Sequence, residues 1–300
     1  MDEIAATRMK TAFMLLIFLV ILLPGYSQKT FGIWPGVPAG SENWNWEENE
    51  DSVELPNDLL AYNVSLPTLT YFPANPHLAN GTAVIICPGG SFCYLHVITE
   101  GAWLAKWLNQ IGVACFVLRY RLVHSETNFP IQEKNQRMKD TASFSRLARA
   151  IVPLAIADAK QAIRYVREHA QEFALASNKI GILGFSAGGT LATASAFDQS
   201  PASRPDFVAP IYAFAPSMLI PEPLPEVPPI FIAAATDDEL NLVPMSVNLY
   251  NKWLAAGRSA ELHIYSKGGH GFGMNKKNQP SDGWVDRFGE WMKIQGFLKK

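Results

Sequence analysis

The feature that most constrains this chain is an alternation. Short apolar runs recur along it: TAVIIC from Thr82, VACFVLRY from Val113, KIGILGF from Lys179, VAPIYAF from Val208 and PIFIAAA from Pro229. Between them lie segments such as GAWLAKWLNQIG and Ala155 to Ala170, whose apolar residues return at helical spacing. The runs are apolar on both faces, unlike strands with one wet face, which alternate with period two. Doubly buried strands interleaved with helices build a mostly parallel central sheet with helices on both faces. The expected fold class is therefore α/β. A chain of 300 residues, 48% of them hydrophobic, has ample material for one large core.

In such sheets, sites lie beyond the carboxyl ends of the strands. That rule selects candidates before any chemistry is considered. After KIGILGF stands Ser186, in Gly184-Phe185-Ser186-Ala187-Gly188. A sharp strand-to-helix turn strains the backbone of its central residue, and side chains two positions to either side would meet neighbouring main chain. Glycine at both flanks clears that space for an exposed hydroxyl at a helix start. After PIFIAAA comes TDDELN, where Asp237 and Asp238 compete as a carboxylate that could orient a histidine. After AELHIYS comes KGGHGFG, with His270 between glycines. An imidazole there can accept a serine proton while a carboxylate fixes its tautomer. After TAVIIC comes PGGSFCYL; Gly89 and Gly90 let backbone N–H groups face an incoming oxygen, together with the N–H of Ala187 at the helix start.

Taken together, PGGSFCYL, GFSAGG, ATDDEL and KGGHGFG resemble the α/β-hydrolase superfamily, and within it the esterase and lipase group that contains acetyl xylan esterases and other carbohydrate esterases. The resemblance runs from about Thr30 to Lys300. It implies the α/β-hydrolase fold, with Ser186 as nucleophile, His270 as general base and Asp238, two residues before Leu240, as the acid. It places oxyanion donors at the N–H groups of Gly90, Ser91 and Ala187, with Ser91 standing where many lipases have a third glycine. Phe92 and Tyr94 fall where substrate would be contacted. The implied reaction is hydrolysis of short acyl esters, acetyl above all, with a carbohydrate or small-molecule ester as the expected partner. A small exopeptidase or a non-sugar esterase is the alternative on the same fold.

The remaining readings bound the molecule. Arg8 and Lys10, an apolar run from Ala12 to Leu23 and the small residues Gly25 and Ser27 resemble a secretory signal cleaved near Ser27. The run is shorter than the roughly 20 residues of a membrane span. The mature protein, residues 28–300, is expected to be secreted or periplasmic and free of the membrane, with an uncleaved signal anchor as the other reading. Residues 28–60, rich in Trp, Gly, Pro and acids, read as an arm anchored by Trp34, Trp44 and Trp46, with a loose linker as the other reading of Glu47 to Asp51. Residues 124–152, polar and basic, read either as a rim or partial lid or as a solvated excursion with one helix. Arg121 and His124 near a strand end are candidates to touch a polar substrate. The net charge of −2 without clustered basic residues excludes a nucleic-acid surface. Three cysteines, Cys87, Cys93 and Cys115, are too few and, at Cys87 and Cys115, too apolar in setting for a disulfide framework, while a single Cys87–Cys93 or Cys93–Cys115 bridge stays open. His77, His96, His169 and His263 lack metal-ligand spacing, so no metal and no other cofactor is expected.

Overall fold

The computed structural model describes residues 28–219 and 227–299. The signal-like segment 1–27 lies outside the described residues. The chain runs β1 (Lys29–Gly32), β2 (Asn49–Asp51), β3 (Leu60–Tyr62), β4 (Thr68–Phe72), β5 (Ala83–Cys87) and β6 (Tyr94–His96). A π-helical turn, Val97–Ala102, leads into α1 (Trp103–Gln110) and β7 (Ala114–Arg119). Then follow α2 (Pro130–Arg137), α3 (Thr141–Glu168), β8 (Ile180–Phe185), α4 (Ala187–Ser195) and β9 (Val208–Ile211). The described chain closes with β10 (Ile230–Ala235), α5 (Val243–Ala255), β11 (Ala260–Tyr265) and α6 (Trp284–Ile294).

Eight strands form one sheet in the order β1-β4-β7-β5-β8-β9-β10-β11. From β7 to β11 all neighbours are parallel, while β1 and β4 add an antiparallel edge. A smaller antiparallel sheet, β2-β3-β6, lies apart from it. The double burial read from the apolar runs has a direct counterpart. Along β5, Ala83, Ile85 and Cys87 join the core shared with α3, α4 and α5, whereas Val84 and Ile86 join the core shared with α1 and α6. Successive side chains of a strand point to opposite faces, so one apolar run serves both cores.

Two readings of the sequence change here. The helix placed at Ala155 to Ala170 begins at Thr141 and runs continuously through Pro153 to Glu168. Asp140 caps its start by accepting the N–H of Ser143 at 3.0 Å. Within residues 124–152 there are thus two helices rather than one. In the acidic stretch Glu47 to Asp51, β2 pairs with β3, and Glu48 and Glu50 both pair with Arg119, so it is built into the fold and is no loose linker. Trp34 donates to Asp158 at 2.9 Å, while Trp44 stacks on Trp46 and Trp46 on His124. All three cysteines are buried free thiols; burial foremost pushes the Cys93 thiol up to about 12, with the Arg137 and Lys134 charges opposing it.

Candidate active site

Ser186 sits on the turn between β8 and α4 with φ 50° and ψ −114°, a conformation that L-residues rarely adopt. Its position is pinned through the main chain. The Ser186 N–H donates to Ile211 O at 3.0 Å, and its carbonyl accepts the N–H groups of Gly189 at 3.0 Å and Phe214 at 3.1 Å. The flanking glycines have a steric cause. A Cβ on Gly184 would lie 2.0 Å from Gly188 O, and one on Gly188 would lie 2.0 Å from Cys87 O. No side chain fits either gap.

His270 Nε2 lies 2.9 Å from Ser186 Oγ, and its Nδ1 lies 3.0 Å from Asp238 Oδ2. The Asp238 side chain is fully buried, and its Oδ1 accepts the N–H of Leu240 at 2.8 Å. Its neighbour Asp237 faces elsewhere: Oδ1 accepts the N–H groups of Gly268 and Gly269, each at 2.9 Å. These bonds, that of Gly269 foremost, hold the Asp237 carboxyl below the usual range. Glu239, which sequence reasoning passed over, accepts the N–H of His270 at 2.8 Å, and that bond lowers its carboxyl in turn. Three consecutive acids therefore hold three different parts of one loop, and Asp238 is the one at the imidazole ring.

The loop after β5 makes a tight reversal, with φ of 136° at Gly90, 57° at Ser91 and 62° at Phe92. A Cβ on Gly90 would lie 1.9 Å from Tyr94 O, so only glycine fits. Gly89 does not serve as the sequence suggested. Its N–H is already committed to Glu100 Oε2 at 2.6 Å. The Glu100 side chain is a second group that sequence reasoning missed. It is buried on the π-helical turn, and its Oε1 accepts the hydroxyl of Tyr212 at 2.7 Å. The same hydroxyl accepts the N–H of Gly273 at 3.1 Å. Burial, then the neighbouring Glu100 charge, pushes the Tyr212 phenol well up, so it stays a donor. One carboxylate thus ties the Gly-Gly loop to the loop that carries His270. A π-turn within a helix entry is the one local signal that marks this place as unusual.

Two kinds of space meet at Ser186. On one side lies a cavity of about 340 Å³ lined largely by apolar groups, among them Phe92, Met138, Phe144, Phe214 and Leu242. On the other lies a polar cavity of about 230 Å³ that includes Tyr94, His96, Lys134, Glu239 and His270. Gly90, Ser91 and Ser186 line the polar cavity; Ser91, Ser186 and Ala187 line the apolar one. Phe92 and Tyr94 thus fall on opposite sides of the serine. Arg121 does not reach either space. It is 1% exposed and forks onto Asp158, with Nη2 to Oδ1 at 2.8 Å and Nε to Oδ2 at 2.9 Å. His124 stacks on Trp46 of the arm. Among the described residues, no group of His, Cys, Asp and Glu could hold a metal ion.

A largely parallel sheet, a serine on a strained strand-to-helix turn, and an acid and a histidine after later strands define the α/β-hydrolase fold, and this chain has it. It resembles the esterase group of that superfamily in particular. The BD-FAE family model matches residues 141–206, which span α3, β8 and α4 with Ser186. An acetylxylan esterase of Xylanibacter ruminicola is 27% identical over 253 residues, covering 74% of this chain and 47% of that protein. The chain therefore spans about half the length of this curated relative. An acetyl ester-xyloside bifunctional hydrolase from Caldicellulosiruptor lactoaceticus superposes with a TM-score of 0.64 at 22% identity, covering 90% of this chain and 97% of that one. Esterase 2 of Thermogutta terrifontis, in its paraoxon-phosphorylated structure, superposes with a TM-score of 0.62 at 18% identity, covering 82% and 97% of the two chains.

Proposed function

We infer that this protein is an exported serine carboxylesterase that removes short acyl groups, acetyl foremost, from carbohydrate. The observation that carries the reading is the unbroken hydrogen-bonded chain from Asp238 through His270 to Ser186. In this mechanism Asp238 keeps the proton of neutral His270 on Nδ1, leaving Nε2 as the base. Nε2 takes the Ser186 proton as Oγ attacks the ester carbonyl. The negative oxygen that forms is met by N–H groups from Gly90, Ser91 and Ala187, donors of a kind worth roughly 3–4 kcal/mol each in the transition state. His270 then gives its proton to the departing alcohol. It next takes a proton from water as the water attacks the acyl-enzyme, and returns that proton to Ser186 Oγ as the carboxylic acid leaves. Residues 1–27 support export through their resemblance to a signal peptide. The naming of acetylxylan esterase and acetyl ester hydrolase among the relatives supports the acetyl reading.

The apolar cavity favours a second reading, a non-sugar esterase with a longer acyl chain, because about 340 Å³ exceeds the needs of an acetyl group. The test is turnover of p-nitrophenyl acetate and p-nitrophenyl octanoate by pure protein and by Ser186→Ala. Acetate turnover that vanishes in the variant supports the first reading. Faster octanoate turnover supports the second, and full activity of Ser186→Ala ends both.

A further inference from the structure

The inference rests on the esterase reading and concerns the alcohol half of the substrate. His96 ends β6, where it pairs with Leu60 of β3, and its Nδ1 lies 2.9 Å from Asp58 Oδ2. Asp58 is 6% exposed and also accepts the N–H groups of Ile98 at 2.9 Å and Thr99 at 3.2 Å, and the Thr99 hydroxyl. Burial pushes this carboxyl up, but the hydrogen bonds from His96 and Thr99 outweigh it and hold the group below the usual range. An ionised carboxylate only accepts, so His96 keeps a proton on Nδ1 and its Nε2 is the free nitrogen. Among the described residues, Nε2 makes no hydrogen bond, although the side chain is only 23% exposed.

The place of this imidazole gives it meaning. His96 lines the same polar cavity as Ser186 and His270, with Lys134 of α2 beside it. It also lines a second polar space of about 490 Å³ that continues past Thr99 to Asn275 and Lys277. Two carboxylate-backed histidines therefore face one cleft. One reaches the serine through Nε2, and the Nε2 of the other has no hydrogen-bond partner among the described residues. An alkyl alcohol lying there would strip water from these polar atoms and return no hydrogen bond, and such sites discriminate against partners that lack the matching group.

We propose that His96 and Lys134 form the subsite for the alcohol half of the substrate, and that this alcohol is a polyol such as a sugar ring. His96 Nε2 makes a hydrogen bond with a hydroxyl near the ester, and the Lys134 ammonium donates to another ring oxygen. Asp58 is a positioning residue that acts through His96.

The experiment measures acetate release from a mono-O-acetylated methyl glycoside and from ethyl acetate, which share the acyl group and differ in the alcohol. Wild-type protein is expected to favour the glycoside ester in kcat/KM. His96→Ala lowers that preference about tenfold or more, chiefly through KM, the worth of a hydrogen bond or two. His96→Gln, which keeps a hydrogen-bonding atom near the Nε2 position, falls between wild type and His96→Ala. Lys134→Ala lowers the preference as well, and it carries the test should His96→Ala fail to fold. Equal losses on both esters, or no wild-type preference, overturn the proposal. The ratio is read only from turnover that Ser186→Ala abolishes. Turnover that survives in Ser186→Ala, or its absence in wild type, overturns the esterase reading and this one with it. Serine-dependent turnover with an unmoved ratio overturns this one alone.

Discussion

At the scale of single residues, adjacent acids have separable duties. Asp238→Asn leaves an amide beside Nδ1 and favours the wrong imidazole tautomer, a change that costs on the order of 10⁴ in kcat in such triads. Asp237→Asn loses only part of its hold on the Gly268 and Gly269 amides. It is expected to lower kcat by less than about tenfold; comparable losses from the two variants would show that the ring contact of Asp238 is not the one that matters. Glu100 makes a further case. Its carboxylate accepts from both Gly89 and Tyr212, and hydrogen bonds to a charged group are worth about 1.5–3 kcal/mol. Glu100→Gln turns one of its acceptors into a donor facing a donor. It is expected to lower kcat at least tenfold with little change in KM, because the amides of the Gly-Gly loop would bond the negative oxygen that forms only in the transition state. Steady-state kinetics on p-nitrophenyl acetate would reveal the split. At Gly184 the issue is purely steric. Gly184→Ala puts a Cβ 2.0 Å from Gly188 O, and overpacking of this kind costs about 1–3 kcal/mol or more, measurable as a lower midpoint in urea.

At the scale of elements, α2, α3 and the turn between them line the apolar side of the cleft. Met138 follows α2, and Phe144 and Ala148 lie in the first turns of α3, all lining the apolar cavity. Phe144→Ala enlarges that space without touching Ser186 or His270. The expected outcome is a rise in kcat/KM for p-nitrophenyl octanoate relative to acetate; an unchanged chain-length profile would remove α3 from the acyl site. The same helix carries Asp158, which anchors Arg121 after β7 and Trp34 of the arm. Arg121 is thus a structural pin between helix, sheet and arm, and Arg121→Met would leave a buried carboxylate without its partner. Breaking a buried pair in this way costs about 3–5 kcal/mol. Thermal unfolding would report that loss.

At the scale of the whole molecule, acid is the expected weakness. Asp58 has a folded-state carboxyl below its ordinary value, so it contributes stability that is fully present above the unfolded value and lost as pH falls through the folded one. Glu133 behaves likewise, with burial opposing and the hydrogen bonds from Ser125, Glu126 and Thr127 prevailing. The midpoint of thermal unfolding should therefore drop steeply below about pH 4. Asp58→Asn should be destabilised at pH 6 and approach wild type at pH 3. A constant difference between the two across that range would place the stabilising effect of Asp58 outside its charge.

By itself the sequence determined what neighbouring residues decide. Doubly apolar runs required a sheet covered on both faces, and Gly184 and Gly188 announced the turn at Ser186, because burial and steric clearance act within a few positions along the chain. The family resemblance favoured Asp238 by its distance from Leu240, but the tertiary structure supplied the reason, since the turn aims Asp238 at the His270 ring and Asp237 at the Gly268 and Gly269 amides. Only the tertiary structure brought Glu100 to Tyr212 across 112 positions and Arg121 to Asp158 across 37. Such pairs leave no periodic trace. They exist because loops and helices from distant parts of the chain converge at the same rim of the sheet, where a buried charge must find its partners.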